Sequence, residues 1–208
     1  MNKNFIVKNL NGLIFKKELS QIKKLVKEEN HQSILASLDD NLLNKYLNRC
    51  IQSKQLFLYT CEFNKKIIGY SIFAKKTIYL ITEFLDFRFN VLSSLFFSLN
   101  FKSLINLALV LTGLDIILMN SKNKKIISNS LNLNLIAIKR NFQSKGVGKY
   151  FLDSCIKDIK KSSSFNSITL ETFDSKALSF YEKKMNFKRL CFKLRFFSIL
   201  KVLIKKNK

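Results

Sequence analysis

Between Phe15 and Lys54 the apolar residues return at steps of three and four: Leu19, Ile22, Leu25 and Val26, then Leu35, Leu38, Leu42, Leu43, Tyr46, Leu47 and Ile51. Polar residues fill the gaps, so the pattern has the period of a helix with one buried stripe and predicts two amphipathic helices. The period then changes. Gln55–Thr60 (QLFLYT) and Ile67–Ala74 (IIGYSIFA) are short β-rich runs on either side of the turn-forming Asn64-Lys65-Lys66, which predicts an antiparallel hairpin.

Lys75 to Asn129 breaks the pattern again with two Phe/Leu-rich stretches. The first runs from Ile78 to Phe101 and is interrupted by Glu83, Asp86 and Arg88; the second, Leu104–Met119, contains Asn106, Gly113 and Asp115. A membrane-crossing helix requires ~20 mostly apolar residues, so neither stretch predicts one. Ser121–Ser130, rich in Lys and Asn, reads as a solvated loop.

The last third alternates. Leu133–Ile138 (LNLIAI) reads as a buried strand and Lys139–Gly148 as a basic loop with two glycines. Val147–Lys161 predicts a helix with Tyr150, Phe151, Cys155, Ile156 and Ile159 on one face. A strand Ser167–Thr172 (SITLET), a helix Ser175–Lys184 and a strand Arg189–Phe197 follow. The order β, loop, α, β, α, β is a mixed α/β layout.

Length and charge narrow the class. At ~150 residues per domain, 208 residues form one domain, 1–208, with an insertion at 75–130 and a basic tail at 198–208. Aliphatic, aromatic and Cys residues make up 47% of the chain, too many for a disordered polymer. The net charge is +23, and it has two readings. It is either a surface for polyanions or a trace of an AT-rich coding sequence, given 32 Lys against 5 Arg, 21 Asn and no Pro or Trp. From Lys188 to Lys208 there are eight basic residues and no acidic one. Phe196, Phe197, Ile199, Leu200, Leu203 and Ile204 oppose Ser198, Lys201 and Lys205 on a helical wheel, which suits an anionic membrane surface; a last strand with a solvated tail is the other reading. Basic residues are not interleaved with aromatics in an RNA-binding pattern, which argues against nucleic acid.

Cys50, Cys61, Cys155 and Cys191 form no C-x-x-C pair and His31 is the only histidine, so local spacing assembles no metal site. Apolar runs in Met1–Ser20 are too short for a signal-peptide core, and the expected location is the cytoplasm, with the thiols reduced.

Chemistry enters at Gln143-Ser144-Lys145-Gly146-Val147-Gly148, between a predicted strand and a predicted helix. Backbone N–H groups at a helix start bind anions, and glycines let the backbone approach a pyrophosphate closely. Neither a Walker A nor a dinucleotide glycine pattern fits. The loop leads on to Asp174-Ser175-Lys176-Ala177-Leu178-Ser179-Phe180-Tyr181-Glu182-Lys183-Lys184-Met185-Asn186-Phe187. Together QSKGVG and DSKALSFYEKKMNF resemble the acyl-CoA loop (Q/R-x-x-G-x-G/A) and the following N-x-x-A-x-x-F-Y-x-x-x-G-F segment of the GNAT superfamily of acyl-CoA-dependent N-acyltransferases. The likeness covers residues 133–190 strongly and the earlier hairpin and helices by order of elements alone.

The resemblance implies a GNAT fold: a mixed, mostly antiparallel sheet flanked by helices, with a helical hydrophobic insertion between the third and fourth core strands. It implies acetyl-CoA as cosubstrate, no metal, and a primary amine as acceptor. Pantetheine would bond to the backbone of Ile136, Ala137 and Ile138, and the pyrophosphate to the amides of Gln143, Ser144, Lys145, Gly146, Val147 and Gly148, with Asp174 and Tyr181 also at the cofactor. Tyr181 matches the family's general acid. Glu171 or Glu62 would be the base, with His31 and Asp40 as outsiders. Three positions depart from the pattern: Arg140 replaces a proline, Asp174 an asparagine and Asn186 a glycine. Asp174 lacks the amide donors, whereas Asn186 keeps the tolerance for a left-handed helix end. The insertion resembles those of bacterial GNAT proteins of surface-polysaccharide synthesis, where the acceptor is an amino sugar; protein N-termini and other small amines stay open. It would pack on the body, at a homodimer interface or on a membrane. A catalytically idle, charge-anchored GNAT-like module is the competing reading.

Overall fold

The computed structural model describes residues 5–12, 16–30, 33–75, 101, 104–105, 108–109, 114, 119–195 and 198–207. His31 and most of the two apolar stretches of the insertion lie outside the described residues. In chain order the elements are β1 (Phe5–Asn9), α1 (Lys16–Glu29), α2 (Ile34–Ser37), α3 (Asp40–Gln52), β2 (Leu56–Phe63), β3 (Lys66–Ala74), α4 (Ser121–Ser128), β4 (Leu131–Ile138), α5 (Val147–Ser162), β5 (Ser167–Thr172), α6 (Ser175–Met185), β6 (Lys188–Arg195) and β7 (Ser198–Lys206). A 3-10 turn at Arg140–Phe142 links β4 to α5. The sheet order is β1-β2-β3-β4-β5-β7-β6. β1/β2, β5/β7 and β6/β7 pair antiparallel and β4/β5 parallel, so the mixed α/β class read from the sequence is the one observed. By contacts the chain divides into two compact units, Met1–Phe73 with Asn134–Ser164, and Ala74–Leu133 with Phe165–Lys208.

In the first unit the predicted second helix is two. Leu38 is extended, and the Asp39 carboxylate accepts the N–H groups of Asn41 and Leu42 at 2.9 Å each, starting α3 afresh. The hairpin forms as expected, with Asn64 and Lys65 both at positive φ (49° and 61°), the two-residue geometry that matches strand twist. β1 was not foreseen. Its five residues, FIVKN, carry no decisive alternation, and the strand is defined by pairing: Phe5 opposes Phe63 with ring centroids 5.2 Å apart. Tyr46, Tyr59, Tyr70, Phe73 and Phe151 are fully buried and fill this unit's core. Tyr59 Oη donates to Asp158 Oδ2 at 2.9 Å, tying α5 to β2.

In the second unit two expectations are corrected. Ser121–Ser130 was read as a loop but contains helix α4, because the Asn120 side chain accepts the N–H of Asn123 (2.8 Å) and Ile127 is buried as an apolar anchor. The described residues of the expected basic tail, 198–207, are not an amphipathic helix and not merely a tail. Ser198–Lys206 is β7, bonded to β5 from Ser167↔Lys206 to Thr172↔Lys201 and to β6 on its other side. Two neighbouring strands and the β-branched Ile199, Val202 and Ile204 favour extension over the helical stripe, which removes the helical basis for a membrane reading. Among the described residues no helix is long and apolar enough to cross a membrane.

Candidate active site

The glycine loop lies wholly in the first unit. Lys139 N–H donates to Ile68 O (2.8 Å), fixing where the chain leaves β4. Gln143 Nε2 then reaches back to Ile138 O at 2.6 Å, while Gln143 N–H donates to Arg140 O at 3.1 Å. Two left-handed residues follow, Ser144 (φ 59°) and Gly146 (φ 78°). Gly146 is the N-cap of α5 and supplies no side chain to its first turn, whose free amides and positive dipole end suit an anion. Val147, 1% exposed, anchors the helix start, whereas Gln143, Ser144, Lys145 and Gly146 are exposed and Gly148 is half-buried. Lys149 turns away to Asp153 (3.1 Å). On β4, Ile136 is half-buried and Ala137 and Ile138 are buried.

Tyr181, Glu171 and Asp174 lie in the second unit. The Asp174 carboxylate accepts Ala177 N–H at 2.6 Å and is the N-cap of α6. At the other end Asn186 is left-handed (φ 59°), as the departure from glycine allowed, and Phe187 N–H donates to Tyr181 O at 3.0 Å. The Tyr181 ring is 5.2 Å from Phe180 and 5.7 Å from Phe187. Burial raises its phenol well above the ordinary range, so it stays protonated at neutral pH.

Glu171 forms an ion pair with Lys193 of β6, whose side chain is 1% exposed. Alternation along β5 and β7 sends Glu171 and Val202 to one face of the sheet, where Val202 packs on Met119 and Ile127. Lys205 leaves on the other face, over the Phe187 ring of the α6 end (5.9 Å). Glu171 and α6 therefore lie on opposite faces of β5.

Of the remaining base candidates, Glu62 is buried and ion-paired with Lys8 (2.7 Å). Asp40 pairs with Lys23 (2.7 Å), whose ammonium holds the carboxyl below its usual range. Three features lie outside the candidates the sequence offers: Lys193, the contact of Glu29 with Arg140, and Gly69. An isolated glycine inside a strand pattern is the available signal for the last.

Neither a protein-family model nor a curated protein matches the chain. Solved structures do. A GNAT family acetyltransferase from Elizabethkingia anophelis with acetyl-CoA bound matches at 12% identity over 99% of this chain and 100% of that one, with a TM-score of 0.55. The PaiA N-acetyltransferase from Thermoplasma acidophilum in complex with coenzyme A matches at 13% over 100% of both chains, TM-score 0.56. The ribosomal-protein-S18-alanine N-acetyltransferase from Escherichia coli matches at 11% over 97% and 93%, TM-score 0.56. At such identities what is shared is the fold, and the chain has the GNAT fold.

Proposed function

We propose that this chain is an acyl-CoA-dependent N-acetyltransferase that moves the acetyl group of acetyl-CoA to a primary amine. The observation that carries the proposal is the left-handed Gly146 opening α5 with no side chain over its first amides, in a fold shared with proteins solved with acetyl-CoA or coenzyme A bound. In this reading the amides of Gln143–Gly148 take the pyrophosphate. The backbone of Ile136–Ile138 takes the pantetheine arm, and an N–H near Ile138 polarises the thioester carbonyl. The amine nitrogen attacks that carbon, the C–S bond breaks, and the departing thiolate receives the Tyr181 proton. Glu171 takes the proton released by the amine. The amine nitrogen and the departing sulfur are bonded to the same carbon, so with α6 and Glu171 on opposite faces of β5 the amine's proton passes to Glu171 through water rather than directly. Asp174 acts through α6, which it caps.

Among amines we propose the amino group of an activated sugar, on the position and composition of the insertion at 75–130. A protein N-terminus is the second reading, favoured by the likeness to the S18-alanine enzyme. The reaction is placed in the cytoplasm, consistent with four free cysteines.

Thiol release from acetyl-CoA, followed across amino sugars, peptide N-termini and polyamines, is the test. Tyr181→Phe is expected to lower kcat by about 10²-fold or more with the productive amine, at unchanged acetyl-CoA affinity. Saturable acetyl-CoA binding with no release for any amine would leave the idle-module reading standing instead.

A further inference from the structure

One carboxylate joins the end of α1 to the start of the glycine loop. Glu29, the last residue of α1, has a side chain only 12% exposed. Its Oε1 accepts the backbone N–H of Arg140 at 3.2 Å, and its Oε2 lies 3.8 Å from Arg140 Nε. The neighbouring Asn30 donates its side-chain amide to the buried Tyr70 hydroxyl on β3. Beside Tyr70, Gly69 lies against Ala137 and Ile138 of β4, and Ile68 O accepts Lys139 N–H. Residues 29–30, 68–70 and 137–140, all in the first unit, thus form a closed ring of contacts whose exit is the loop 139–148.

Charge and geometry pull Glu29 in opposite directions. A carboxylate beside an anion site repels a polyphosphate. The same carboxylate satisfies a main-chain donor where the loop departs from β4, and this contact requires a residue with an N–H at 140, which a proline would lack. We infer that Glu29 is a positioning residue: it fixes the departure of the loop so that Gly146 and the first amides of α5 are set for a phosphate before one arrives. It also links that loop to the segment following α1. The inference rests on the pyrophosphate reading of the loop.

Three variants test it. Glu29→Gln keeps the acceptor oxygen and removes the charge, Glu29→Ala removes both, and Arg140→Pro removes the donor. Glu29→Ala and Arg140→Pro are expected to weaken acetyl-CoA binding about five- to tenfold, the worth of one lost hydrogen bond. Glu29→Gln is expected to bind within twofold of wild type or more tightly, and kcat for transfer stays within twofold in all three. In the ligand-free protein, amide exchange over residues 139–148 rises in Glu29→Ala and Arg140→Pro but not in Glu29→Gln. Tighter binding by Glu29→Ala, as pure repulsion requires, or unchanged exchange in that variant overturns the inference. If wild type binds no acetyl-CoA the function reading fails, while the exchange measurement still decides the tether.

Discussion

Gly69→Ala probes the place where β3 comes closest to β4. A Cβ at 69 would sit 2.3 Å from Ile138 Cδ1 and 2.8 Å from Ala137 O. The methyl can swing aside only into a packed environment, since Ile138 is 8% exposed, and the carbonyl belongs to the main chain. Ordinary contact begins at 3.4 Å, so β4 must recede by 3.4 − 2.8 = 0.6 Å at Ala137. Overpacking of this kind costs about 1–3 kcal/mol, offset by about 0.4–1 kcal/mol from the stiffer unfolded chain. A net loss of about 1–2 kcal/mol is expected in urea unfolding followed by circular dichroism. The shift falls on the backbone that the proposal gives to pantetheine, so KM for acetyl-CoA is expected to rise by about tenfold, since misplacement on the order of 1 Å costs up to 10²-fold. Ile138→Val deletes the nearer contact and is expected to cost less in the Gly69→Ala background than in wild type. A Gly69→Ala protein within ~0.3 kcal/mol of wild type and with unchanged KM would mean that β4 tolerates a Cβ at 69 without moving.

Other residues give further outcomes. Glu171→Gln removes the carboxylate ion-paired with buried Lys193 and is expected to destabilise by about 2–3 kcal/mol, below the 3–5 kcal/mol of a fully buried pair because Glu171 keeps partial exposure. Adding Lys193→Met should recover much of that stability by equilibrium unfolding; if kcat recovers with it, Glu171 is an ion-pair partner only and not the base. Burial pushes the Cys50 and Cys61 thiols up to about 12. In the unfolded chain they ionise above pH ~8.5, so unfolding then releases protons, and stability is intact below that pH and lost progressively as pH rises toward 12. The urea midpoint should fall between pH 8 and 11, and at pH 8 the partly exposed Cys191 should react with a thiol reagent ahead of Cys50, Cys61 and Cys155.

What the sequence displayed was what local chemistry determines. The glycines of QSKGVG mark a loop open to an anion before an apolar-faced helix, and α5 starts at Val147 as the pattern requires. SITLET is β5 residue for residue, because a short alternating run bounded by Ser and Asp has few other outcomes. Where partners decide, the pattern misled or was silent. β7 has a helical stripe, but two flanking strands draw it into the sheet. β1 exists through its ladder with β2. The sequence marks Glu171 as a candidate base and carries no signal of its ion pair with Lys193, 22 residues later. Glu29 and Arg140, 111 residues apart, carry no sequence signal of their contact.

Acetyl-CoA binding at the glycine loop is decided by calorimetric titration into the wild-type chain and into Gly146→Val. A Cβ-branched residue at φ 78° is strained by about 1–2 kcal/mol and would crowd the first amides of α5. One saturable site is expected in wild type, weakened at least tenfold in Gly146→Val; no saturable binding, or equal binding by both proteins, means that the loop does not hold acetyl-CoA.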